Sequence, residues 1–170
     1  MGNMEVSTPS TRSPVLMSFL IRNIFLLYAI AGTVVAGIYL AGANGSWVVA
    51  LQQGGQDVLF GVLLIGSTIT SGMGHLCFGD VVVAGQNHTH NDVSRMFQWE
   101  LGVFTLIVAV VAMTLPVTEQ VPLALAWGVF VIAAGVRHAI KKEPLPTVVG
   151  DIWMGGLLLA ACLPSLHSSP

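Results

Sequence analysis

Two imidazoles and two carboxylates, His75, Glu100, His138 and Asp151, stand inside apolar stretches of this 170-residue chain. Such a set is a legitimate ligand group for Zn, Mn or Fe. The same four residues serve equally as a relay for protons or ions, which needs no metal. Their spacing requires neither. There is no H-E-x-x-H and no Glu-x-x-His pair on one helix, the patterns by which zinc proteases and di-iron bundles place their ligands.

Three further ionisable residues lie at a similar level. Arg22 and Arg137 are two cations that face three acids, Asp80, Glu100 and Asp151. A near-balanced set can neutralise itself as a network of ion pairs and hydrogen bonds that holds helices in register. An ion at the centre of a bilayer costs about 2.5–3.5 kcal/mol on the insertion scale, and the cost falls toward the interface, where Arg snorkels. A structural lock or an ion pathway therefore remains open for Arg22, His75, Asp80, Glu100, Arg137, His138 and Asp151, with an accessory or structural protein favoured; the alternative is a small proton, ion or solute transporter, or a metal-dependent membrane enzyme, using His75, Glu100, His138 and Asp151. His75 is the deepest of them, and Gly72 and Gly79 at i−3 and i+4 leave its face bare for a close approach.

Other chemistry is weakly represented. His88 and His90 make an H-x-H in a polar loop. Cys77 and Cys162 lie in apolar runs without C-x-x-C spacing and read as buried thiols. No G-x-S-x-G elbow, P-loop or dinucleotide fingerprint is present. The formal charge of −2 and the lack of a basic block speak against nucleic acid as a partner. The chain reads as a protein without catalysis more readily than as an enzyme.

The elements that must position these residues are long apolar segments. Hydrophobic residues make up 54% of the chain and charged residues 8%, where a soluble domain carries about 25% charged residues. Lipid solvates such a surface, so the expected fold is an all-α integral membrane bundle. Five transmembrane helices are expected, over about 15–42, 58–84, 96–115, 122–140 and 148–163. They form a membrane domain at 14–164, between a polar tail at 1–13 and a short tail at 165–170. Each run approaches or exceeds the ~20 residues a span needs, the fifth least securely. The first run is longer than a signal peptide's apolar core and reads as a retained span.

"NGSW" and "QQGGQD" read as a loop over 44–57, Pro122 as the first turn of the fourth helix, Thr147 as a cap and Pro164 as the end of the fifth helix. Five spans place Arg12, Arg22, Arg95, Arg137, Lys141 and Lys142, all six basic residues, on or near one side. The positive-inside rule then puts the N-terminus in the cytoplasm and the C-terminus outside. Trp47 and Trp127 would mark the outer interface, Trp99 and Trp153 the inner. Small residues such as Gly32, Ala36, Ser67 and Ser71 are expected at helix contacts. Five helices leave little room for a wide pore, which points to a homo-oligomer or a partner membrane subunit beside the lipid bilayer itself.

Three segments, "GHLCFGD" (74–80), "FQWELGVFTL" (97–106) and "RHAIKKEPLPTVVGDIW" (137–153), resemble a family of small multi-pass membrane proteins of unknown function. The likeness covers roughly residues 55–163. It implies that the fifth apolar run is a true element. It implies no activity, cofactor or site residue. The loop before "FQWE" departs from the shorter Gly/Trp/Pro-type turn of that family.

Overall fold

The computed structural model describes residues 23–85 and 92–167, with side chains over 23–77 and 98–165. Among these residues all regular structure is helical. Five helices follow in order: α1 (Ile24–Gly42), α2 (47–85), α3 (Asp92–Thr114), α4 (Val117–Ile140) and α5 (Leu145–His167). Four of them contain segments long and apolar enough to cross a membrane: Ile24–Gly42, Trp47–Cys77, Val117–Ile140 and Leu145–Ser165. The described apolar part of α3, Gln98–Thr114, is shorter.

Helices consecutive in the chain alternate in direction. α4 and α5 run antiparallel, with Gly128 beside Gly155 and Gly135 beside Asp151. α2 and α3 do the same, with Gly72 against Leu106 and Gly102 against Leu76. α1 lies parallel to α5, with Leu26 against Gly150 and Thr33 bonded to Trp153. One end of the bundle therefore collects the start of α1 and the α4–α5 turn, which carries Arg137, Lys141 and Lys142. This is the basic end.

The core is built around the middle of α2. Residues Phe60–Gly66 form a π-helical stretch, and Phe60, Leu63 and Leu64 are fully buried. This stretch touches all four other helices. A π-helical stretch rotates the side chains that follow it relative to an α-helix. Leu63 fills the notch left by Gly32 on α1, where a Cβ would come within 2.6 Å of its side chain. In a bilayer apolar side chains would gain nothing by leaving lipid, and close packing of this kind would supply the attraction between helices. Ala36 and Ser67 are buried at helix contacts as the small-residue pattern implies, while Ser71 is half-buried.

Several boundaries differ from those read in the sequence. The first part of the expected first span, 15–22, lies outside the described residues. The stretch 44–57 is only partly a loop. Helix begins at Trp47, where the Ser46 side chain accepts from the Val49 amide, and breaks at Gln53 and Gly54. Gly54 has φ +97°, a conformation that costs any L side chain. Pro122 sits inside α4 rather than in its first turn, and Pro116 occupies the N-cap. α5 starts at Leu145, ahead of the expected cap Thr147, and continues through Pro164.

One tryptophan departs from an interfacial belt. Trp127 is 4% exposed, stacks on Phe130 and meets Phe25 edge-on. Its Nε1 donates to Ser67 Oγ at 2.8 Å, from α4 to α2. Trp47 Nε1 donates to the Ala160 carbonyl and Trp153 Nε1 to Thr33 Oγ1, each at 2.9 Å. An indole has one donor, and in an apolar bundle it finds a partner on the next helix.

Candidate functional site

At the basic end, α4 closes through a tight turn. The amides of Lys141, Lys142 and Glu143 bond back to the carbonyls of Arg137, Ala139 and His138. Lys142 takes φ +57°. Pro144 immediately precedes α5, and its carbonyl receives the Thr147 amide at 3.0 Å. This turn sends α5 back along α4. The two helices cross closely at Gly128 and Gly155, where a Cβ on Gly155 would lie 2.7 Å from the Gly128 carbonyl oxygen.

That close approach brings Asp151 against α4. Gly135 faces it, and a Cβ there would stand 2.9 Å from the Asp151 Cβ. The bare backbone of Gly135 is what leaves room for the acid. One turn further on, His138 Nδ1 lies 2.7 Å from Asp151 Oδ2. The Asp151 side chain is 2% exposed and that of His138 18%. With the carboxylate ionised, Nδ1–H donates to Oδ2. With Asp151 protonated, its O–H donates to Nδ1. Either way one proton lies between the two groups, and with the carboxylate ionised the bond is charge-assisted, the stronger kind.

His75 belongs to a different seam. It stands one turn beyond Gly72 on α2, in the contact with α3, and the Gln98 side chain lies against its imidazole. His75 Nδ1 and Gln98 Oε1 are both buried and neither makes a hydrogen bond among the described residues. Gln98 was not among the residues singled out in the sequence. Its i,i+4 relation to Gly102, the glycine against which Leu76 packs, is the signal that places it on the α2-facing side.

The expected quartet thus separates. His138 and Asp151 come together. His75 pairs with Gln98 instead, and Glu100 is exposed. Among the described residues no three His, Cys, Asp or Glu side chains are grouped to hold a metal ion. Arg137 is exposed beside His138, and the described ion-pair partner of Asp151 is His138. The Asp80 side chain, Arg22, His88 and His90 lie outside the described residues. Cys162 is buried, its thiol directed to the Leu158 carbonyl at 3.2 Å, and Cys77 is exposed on the bundle surface.

Other polar contacts tie α1 and α2 without titratable pairs. The Tyr28 hydroxyl donates to the Gly66 carbonyl at 2.9 Å and lies 2.6 Å from Thr70 Oγ1. Fold and site together define an all-helical protein with four helices of membrane-spanning length and composition and a buried histidine–aspartate pair between its last two helices. No family model, curated protein or solved structure matches the chain.

Proposed function

We propose that this chain is a five-span integral membrane protein, N-terminus in the cytoplasm and C-terminus outside, with an accessory or architectural role. In this reading its buried polar contacts hold helices in register, and the His138–Asp151 pair is the principal lock. The observation that carries it is that pair: a 2.7 Å contact between helices, on an acid whose side chain is 2% exposed. Losing either partner leaves a polar group unsatisfied away from water, so the pair specifies one alignment of α4 and α5. The basic end faces the cytoplasm by the positive-inside rule. A chain with this few helices acts as a subunit, with copies of itself or with another membrane protein. The likeness to small multi-pass membrane proteins of unknown function agrees with the architecture and adds no activity.

A second reading has its own support. Asp151 is paired with an imidazole, while the permanently charged Arg137 beside it on α4 is exposed. A fixed cation would make a fixed ion pair. A histidine can take and release a proton, as members of intramembrane relays do. The pair is then a proton-exchanging station.

Purified protein in vesicles, carrying a pH dye inside, separates the two. The lock predicts that Asp151→Asn lowers the unfolding midpoint in mild detergent and leaves the proton permeability of the vesicles unchanged. A proton flux in the wild type that Asp151→Asn abolishes overturns the lock in favour of the station.

A further inference from the structure

Thr147 is 7% exposed, and its hydroxyl makes no hydrogen bond among the described residues. That is unusual within this molecule. Thr33, Thr68 and Thr105 each give their hydroxyl proton to the carbonyl four residues back. This is the ordinary way a threonine satisfies itself in an apolar helix. For Thr147 that carbonyl belongs to Glu143, which precedes the first residue of α5.

The orphan hydroxyl stands one turn before Asp151. Residues at i and i+4 share a helix face, with Cβ atoms about 5–6 Å apart. Asp151 gives Oδ2 to His138, and a carboxylate keeps a second acceptor in Oδ1. The Thr147 hydroxyl and the Asp151 carboxylate make no direct bond. They suit a bridge of one water, which needs two to four polar partners. The loop lies immediately beyond, with Lys141 and Lys142 exposed and Glu143 half-buried, while Arg137 is exposed on the last turn of α4. Leu26, in the first turn of α1, packs against Gly150 on the other side.

We infer that Thr147 Oγ1 and Asp151 Oδ1 bind a water molecule that connects the buried His138–Asp151 pair to the solvent at the basic end. Thr147 is then a positioning residue for proton exchange. The inference rests on the second reading above, that the pair exchanges its proton. The step is a swap: with the proton on Oδ2, the carboxyl group turns about its Cβ–Cγ bond to face the bound water, exchanges that proton for a solvent proton, and turns back to Nδ1. Charge and atoms are unchanged.

The test transfers the full-length protein, 15N-labelled at histidine and held in mild detergent, into D2O. It follows the exchange of the His138 ring N–H, with the signal assigned by its loss in His138→Gln. Thr147→Val keeps the side-chain shape and removes the hydroxyl, and Thr147→Ala does so with less bulk. Both should slow exchange about tenfold, the kinetic equivalent of one lost water-mediated hydrogen bond. Thr147→Ser should restore it to within about twofold. Exchange in the wild type that neither variant slows overturns the water bridge and leaves the proton-exchanging pair intact. A His138 N–H that never exchanges in the wild type overturns both.

Discussion

Trp47 Nε1 donates to the carbonyl of Ala160 at 2.9 Å, and that carbonyl is the one Pro164 cannot satisfy. Proline has no N–H to return to the residue four before it, and its ring pushes that carbonyl outward. The helix survives Pro164 because a side chain from α2 takes the freed acceptor. Gln56 adds a second contact one residue later, with Nε2 2.8 Å from the Ala161 carbonyl and 2.9 Å from Ser165 Oγ. A proline that ends a helix in isolation is here built into a contact between helices.

Trp47→Phe should therefore orphan the Ala160 carbonyl and cost about 1–3 kcal/mol, read as a lower unfolding midpoint in mild detergent. In a Pro164→Ala background the cost should shrink, because the restored backbone N–H satisfies the carbonyl. Equal costs in the two backgrounds would show that the indole does not serve this acceptor.

Two adjacent glycines should respond in opposite directions. Gly155→Ala places a methyl group 2.6 Å from Ile132 Cγ1 and 2.7 Å from the Gly128 carbonyl oxygen. It must push α4 from α5, at about 1–3 kcal/mol. Gly156 has nothing within 4 Å of the corresponding position. Gly156→Ala should be neutral or stabilise by up to about 1 kcal/mol, by limiting the unfolded chain. The same unfolding assay checks both.

Reporter fusions test the transmembrane arrangement. A phosphatase active only outside the cytoplasm should be active when fused after residue 45 or after residue 167, and inactive when fused after residue 142. Inactivity at residue 167 would put both ends on one side and leave an even number of spans.

Much of this architecture is legible in the apolar runs. The runs ending at 84, 115 and 140 correspond to helices ending at Gly85, Thr114 and Ile140. The errors come from residues whose local preference is overridden by a neighbour distant in sequence. Pro164 reads as a stop until Trp47 is beside it. Trp127 reads as an interfacial residue until Ser67 is found across the core. That His138 and Asp151 can meet is legible, since both fall near the ends of adjacent helices joined by a short turn. What periodicity cannot supply is which seam each polar residue enters. His75 lies in the contact of α2 with α3, and His138 in the contact of α4 with α5. That division follows from where Gly72, Gly102, Gly135 and Gly155 let backbones approach.

The most direct measurement is a double-mutant cycle on the last two helices, using His138→Leu, Asp151→Leu and the double variant in the full-length protein. Each single change leaves a buried polar group without its partner and should cost about 3 kcal/mol or more. The double variant removes both groups at once and should cost less than either single change. Costs that simply add would mean that His138 and Asp151 act independently, and the proposed lock between α4 and α5 would fail.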